Sequence, residues 1–261
     1  MMDRLKDKIA VITGAAKGIG YETVRIFINE GAQVVMTDLD VEAGSAASAH
    51  FGTSCNFIAQ DVTDESSWDK LANQIETTYG RLDVLVNNAG ILATETTQDI
   101  ETTTLAQWRA VQQVNVEGVF MGCQMAVRIM KKTGGSIVNI SSTAGIVGEP
   151  RLVAYCASKG AVRLMTKGVA LHCARNRYNI RCNSVHPGPI ETDMGDALLG
   201  LQNYIDGPNL ESKWETLRRR IPTGSSGEAP DVAACILFLA SDDSKHMTGS
   251  ELVVDGGMTA N

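Results

Sequence analysis

"KIAVITGAAKGIG", residues 8–20, changes character at its midpoint. Residues 8–13 form a short apolar run that stops at Gly14, with Gly18 and Gly20 following. A buried strand that runs through a glycine turn into a helix opens a parallel α/β sheet. The helix expected over 18–30 carries Ile19, Val24, Phe27 and Ile28 at roughly helical spacing and ends at Gly31. Glycines let the backbone come close to a pyrophosphate. The helix start adds unpaired N–H groups and a positive dipole end. The TGxxxGxG spacing differs from GxGxxG but offers the same groups. Gly14, Lys17, Gly18, Ile19 and Gly20 are therefore candidate nucleotide contacts.

The alternation continues along the chain. Strands are expected at 33–37, 55–60, 82–90, 135–142, 180–188 and 250–257. Helices are expected at 41–49, 64–80, 112–132, 154–174 and 230–240. Strands of near-continuous apolar character predict a parallel sheet covered on both faces. The expected fold is α/β, a doubly wound, seven-stranded parallel sheet in one domain spanning 1–261. Residues 191–221 break the rhythm and are expected to form a helical lid over a substrate. Met194 and Leu198 are its candidate substrate contacts, with Leu199, Tyr204 and Trp214 adding to an apolar underside.

Composition narrows the function. The 261 residues are 44% apolar and 20% charged, enough for a full core. A net charge of −7 speaks against a nucleic-acid surface or a basic membrane patch. There is no run of 18 apolar residues to span a membrane. "MMDRLKDKIAVITG" lacks the apolar core and cleavage site of a signal peptide, so a cytoplasmic protein is expected. The six cysteines form no CxxC pair and read as small buried hydrophobes. No cluster has metal-ligand spacing, so no metal is expected.

Asp38 closes the second strand, eighteen residues after Gly20. A carboxylate there accepts ribose hydroxyls and repels a 2′-phosphate, which favours NAD over NADP. Leu39 follows it. Lys17 pulls the other way, because a base beside the phosphate turn suits NADP. Asp61 and Val62 close the third strand, where an adenine would lie.

Tyr155 and Lys159 sit four apart, on one face of the expected 154–174 helix. A free tyrosine has a pKa near 10, too high for a good base at neutral pH. A cation within about 4–6 Å lowers it. Tyr155 is thus a candidate general acid/base tuned by Lys159. Ser142 ends the fifth strand, where its hydroxyl can enter the crevice at the sheet's carboxyl edge. Ser141, its neighbour, faces the opposite way. Asn115 stands inside an expected helix, a poor place for Asn unless its amide is engaged. His186 reads as structural.

These residues together resemble the short-chain dehydrogenase/reductase family. The matching pieces are "TGAAKGIG", "NNAG" (87–90), Asn115, Ser142, Tyr155-x-x-x-Lys159 and "HPGPIET" (186–192), over nearly the whole chain. Thirteen residues separate Ser142 from Tyr155, as in the family, which singles out Ser142 over Ser141. The resemblance implies a Rossmann-like fold and a hydride-transfer site. In it Ser142 holds the substrate oxygen and Asn115 holds a water leading to Lys159. Asn88, Ala89 and Gly90 lie near the adenosine ribose, and Pro187, Gly188, Ile190 and Thr192 meet the nicotinamide. It also implies a homotetramer. "HPGPIETDM" and "SKHMTGSELVVDGGMTAN" look most like bacterial secondary-alcohol and hydroxysteroid dehydrogenases. The expected substrate is then an apolar, cyclic or secondary alcohol or its ketone, with NAD. An NADP-linked 3-oxoacyl-thioester reductase is the alternative enzyme, although no basic carrier-docking patch is evident. A nucleotide-binding sensor without activity is the alternative of another class, disfavoured because all four catalytic residues are present.

Overall fold

A computed structural model describes residues 3–92, 99–201 and 204–260. The first half of the sheet comes from β1 (Ile9–Thr13), β2 (Gln33–Asp38), β3 (Cys55–Ala59) and β4 (Val84–Asn87). Between them run α1 (Gly18–Asn29), α2 (Val41–Ala49) and α3 (Glu65–Tyr79). Asp40 caps α2 through the Ala43 N–H, and Asp64 caps α3 through the Ser66 N–H. Gly80 ends α3 in the left-handed conformation, φ 69°.

The helix expected at 112–132 is longer and interrupted. It consists of α4 (Leu105–Gln112), a π-helical turn (Gln113–Glu117) and α5 (Gly118–Met130). Its start lies upstream because Thr104 and Gln107 form a reciprocal capping box there. Then come β5 (Gly135–Ile140), α6 (Val153–Arg175) and β6 (Ile180–Pro187). Residues 191–221 begin with β7 (Ile190–Glu191), then α7 (Asp193–Gly200) and α8 (Leu210–Arg218). β8 (Gly227–Glu228), α9 (Ala229–Ala240) and β9 (Glu251–Val254) complete the chain.

Seven strands form one sheet in the order β3-β2-β1-β4-β5-β6-β9, every pairing parallel. The order reverses between β1 and β4, and ligands of such sheets bind at that crevice. Alternate strand residues face opposite ways. Ala10, Ile12, Val34, Met36 and Val86 pack with Val24 and Phe27 of α1 and Ile236 of α9. Val11, Val35, Leu85 and Ile137 pack on the other face with Leu71 of α3, Ala126 of α5 and Val162 of α6. The doubly wound fold is as the sequence predicts. A second, two-stranded sheet of β7 and β8 is an addition to that expectation. Among the described residues, no helix is long and apolar enough to cross a membrane.

α7 and α8 carry a small core of their own: Leu199, Ile205, Trp214 and Leu217, with Tyr204 against it. The Trp214 indole N–H donates to Asp196 at 2.8 Å, and Lys213 donates to the Leu199 carbonyl at 2.7 Å. This corrects part of the expected apolar underside. Leu199 and Trp214 hold α7 to α8. Met194 is 39% exposed and Leu198 half-buried. Residues 202 and 203 of the expected lid lie outside the described residues.

Candidate active site

At the crevice, the turns after β1 and β4 are bolted together. Asn88 donates its amide to the carbonyls of Thr13 and Gly14, at 2.9 and 2.8 Å. The Thr13 hydroxyl accepts from the N–H groups of Asn88 and Ala89. Gly14 has φ 61°, and a Cβ on it would stand 2.8 Å from the Ala89 Cα. Glycine is required there on both counts. Gly18 also lies in the left-handed region, at φ 58°.

The start of α1 is open. Lys17, its N-cap, makes no side-chain cap hydrogen bond, and the first turn holds no acid. The first N–H groups of the helix therefore keep their capacity for an anion. Asp38 points back at this turn. Its carboxylate accepts from the Ala16 N–H at 3.0 Å and the Asp40 N–H at 3.1 Å. Leu39 beside it is 68% exposed. Lys17 reaches Asp193 in the first turn of α7, Nζ to Oδ2 3.2 Å. Asp61 accepts from the N–H and hydroxyl of Thr63, and Val62 is buried against Gly118.

Ser142, Tyr155 and Lys159 come together at the other side of the crevice. Ser142 is hydrogen-bonded to the Tyr155 phenol. Its Oγ also lies 3.4 Å from the Pro187 carbonyl and accepts from the Ala144 N–H at 3.2 Å. Lys159 is buried, and its Nζ donates to the Ile140 carbonyl at 2.9 Å. Ser141 faces away from the crevice, and its hydroxyl donates to the Lys159 carbonyl at 2.8 Å.

The electrostatics differ from the sequence expectation. Burial pushes the Tyr155 phenol up to about 12, against the lowering effect of the Ser142 hydrogen bond. Burial likewise pushes the Lys159 ammonium down to about 8. The chain's own residues thus hold a neutral phenol beside a weakened cation. Spacing in the sequence revealed the cation but not the depth of either group.

Asn115 sits at the middle of the π-helical turn and is fully buried. Its carbonyl oxygen accepts from the Ile91 N–H at 2.8 Å. Its amide donates to the Ile91 carbonyl at 3.0 Å and to Ser158 Oγ at 3.1 Å. Ser158 in turn donates to the Tyr155 carbonyl at 2.7 Å. Single π turns mark functional sites often. A Cβ on Gly90 would lie 3.3 Å from Asn115 Oδ1 and 3.5 Å from Lys159 Nζ, so all three border one space.

The "HPGPIET" turn reaches the site through Pro187, whose carbonyl lies 3.4 Å from Ser142 Oγ. Gly188 donates to the Val254 carbonyl at 2.8 Å, and a Cβ on it would stand 2.8 Å from the Asp255 Cα. Ile190 is buried in β7. Thr192 caps α7, its hydroxyl accepting from the Gly195 N–H at 3.3 Å. Among the described residues, no group of acids, cysteines and histidines is arranged to hold a metal ion.

Comparison with known proteins finds relatives along nearly the whole chain. A family model described as Enoyl-(Acyl carrier protein) reductase matches residues 14–259. The chain is 42% identical to an NADP-dependent (R)-specific alcohol dehydrogenase of Lentilactobacillus kefiri, over 100% of both chains. It is 41% identical to a cyclopentanol dehydrogenase of Comamonas sp. (strain NCIMB 9872), again over 100% of both. A 3-beta-hydroxysteroid dehydrogenase of Comamonas testosteroni is 38% identical over 99% of this chain and 98% of its own.

Proposed function

The chain belongs to the short-chain dehydrogenase/reductase family, and from that premise we propose that it interconverts a secondary alcohol and its ketone with NAD(H). The observation that carries this reading is the meeting of Ser142, Tyr155 and Lys159 beside Gly90 and Asn115. The relatives named as cyclopentanol and hydroxysteroid dehydrogenases favour an apolar, often cyclic substrate.

The residues of the crevice fit a dinucleotide, because the uncapped start of α1 and the left-handed glycines leave backbone N–H groups and room for a pyrophosphate. Gly14, Lys17, Gly18, Ile19 and Gly20 would hold the phosphates. Asp38 and Leu39 would hold the adenosine ribose, with Asp61 and Val62 at the adenine and Asn88, Ala89 and Gly90 beneath. Pro187, Gly188, Ile190 and Thr192 would face the nicotinamide. When bound, the nicotinamide accepts or supplies the hydride.

The chain's own residues handle the proton. Ser142 donates to the substrate oxygen and stabilises charge that develops there. Tyr155 takes the hydroxyl proton during oxidation and returns it during reduction. Lys159 favours the phenolate. Asn115 holds the Ile91 backbone and, through Ser158, the Tyr155 turn, and offers a route for a water toward Lys159. Met194 and Leu198 of the lid would contact the apolar part of the substrate.

The cofactor preference rests on Asp38, whose carboxylate is fixed at the phosphate turn. Lys17 is paired with Asp193, which reduces the local positive charge that a 2′-phosphate would need. We also propose a homotetramer. Phe120 of α5 and Leu164 and Leu171 of α6 stand exposed, at 53%, 70% and 55%. Gly160 and Gly168 of α6 each face open space.

A panel of secondary alcohols and ketones with NAD(H) and NADP(H), followed by absorbance of the reduced cofactor, tests the proposal. Turnover of an apolar secondary alcohol with NAD supports it. Cofactor binding without turnover of any alcohol or ketone sinks it.

A further inference from the structure

His186 is fully buried at the end of β6, and both ring nitrogens are engaged. Nδ1 lies 3.2 Å from the Ser142 carbonyl, and Nε2 lies 2.8 Å from Ser184 Oγ. A carbonyl can only accept, so Nδ1 carries the proton. Nε2 then accepts from the Ser184 hydroxyl. The tautomer is fixed by its surroundings.

The carbonyl that His186 grips is no ordinary one. It also accepts from the Gly145 N–H at 2.9 Å, so it is pinned from two sides. It belongs to the residue whose hydroxyl meets Tyr155. The parallel register pairs Ile140 with Val185, which sets His186 across from the end of β5. The next residue, Pro187, offers its own carbonyl to Ser142 Oγ at 3.4 Å. Residues 186 and 187 thus touch Ser142 at its backbone and at its side chain. Burying an imidazole costs desolvation that an apolar residue of similar size would not incur.

We infer that His186 is a positioning residue: its Nδ1–H fixes the Ser142 carbonyl and thereby aims the Ser142 hydroxyl at Tyr155 and the substrate oxygen. This rests on the reading of Ser142 given above. It ties that hydroxyl to the turn proposed to grip the nicotinamide.

The test compares His186→Asn, His186→Gln and His186→Leu with Ser142→Ala, using the best substrate of the alcohol panel. The Asn amide reaches the position of Nδ1, whereas the Gln amide reaches that of Nε2. His186→Asn should stay within about threefold of wild-type kcat. A misplacement of 1 Å can cost about 100-fold, and a fraction of that predicts about a tenfold loss of kcat for His186→Gln and His186→Leu. Cofactor Kd should not move. The double variant Ser142→Ala/His186→Leu should be no slower than Ser142→Ala alone. Thermal unfolding of each variant is measured alongside. If His186→Leu fails to fold, the Asn and Gln variants still decide. Wild-type kcat in His186→Gln or His186→Leu, with Ser142→Ala inactive, overturns the inference alone. So does an activity order that follows the unfolding temperatures. Full activity in Ser142→Ala overturns the reading of Ser142 itself, and the inference with it.

Discussion

Lys159 Nζ stands 5.4 Å from the centre of the Tyr155 ring and donates to the Ile140 carbonyl at the end of β5. Ser141 answers that bond by donating to the Lys159 carbonyl. These two contacts fasten α6 to the strand that presents Ser142. They also set the distance between the ammonium and the phenol ring.

Replacing Lys159 with Met removes the ammonium beside the phenol while keeping its bulk. A cation favours the phenolate, so its loss raises the Tyr155 pKa, in the direction burial already pushes it. The alkaline rise in kcat/KM for alcohol oxidation should move to higher pH, with kcat down about 100-fold. An unmoved pH profile would mean that Lys159 does not tune Tyr155.

Asp38→Ala and Asp193→Asn address cofactor choice separately. The first removes the carboxylate that, in the proposed reading, would face a 2′-phosphate. The second releases Lys17 from its partner. Each should raise the NADP-to-NAD ratio of kcat/KM, Asp38→Ala by about tenfold or more and Asp193→Asn by less, since that pair is exposed and screened. Steady-state kinetics with both cofactors reads this directly. A ratio unchanged in Asp38→Ala would assign the preference elsewhere.

Asn115→Leu fills a similar volume but strands the Ile91 N–H and carbonyl in the interior. An unsatisfied buried polar group costs about 1–3 kcal/mol. Urea unfolding should show a loss of that order, together with reduced turnover. Undiminished stability would show that the π turn does not depend on the Asn115 amide.

Glu251 predicts an acid limit to stability. Burial acts to raise its carboxyl, but Arg163 and Lys167, at 2.8 and 2.6 Å, hold it at about 2. A pKa depressed in the folded state stabilises above the unfolded value of about 4.3 and is lost as pH falls toward about 2. Glu251→Gln should therefore unfold more easily than wild type at pH 7. The gap should narrow steadily below pH 4.5. A gap independent of pH would remove the ion pairs as its cause.

Local spacing made much of this legible in the sequence. The glycine turn and the Tyr155–Lys159 face follow from short-range patterns, and Ser142 from the resemblance to the family. The start of α4 did not, because Leu105 is 60% exposed and the helix is held there by a capping box rather than an apolar stripe. β7 and β8 are two residues each, too short for any periodicity. Apolar spacing in α7 and α8 could not separate residues that face a substrate from Leu199 and Trp214, which join the helices. His186 gave no signal of its positioning role, since the carbonyl that its Nδ1 meets lies 44 residues away and a lone histidine carries no pattern.

The most direct test of the central claim is turnover of an apolar secondary alcohol by the wild-type protein and by Tyr155→Phe, with NAD, alongside cofactor Kd. Turnover by the wild type, a loss of about 100- to 10,000-fold in the variant and a nearly unchanged Kd are expected. Wild-type turnover in Tyr155→Phe would contradict the claim.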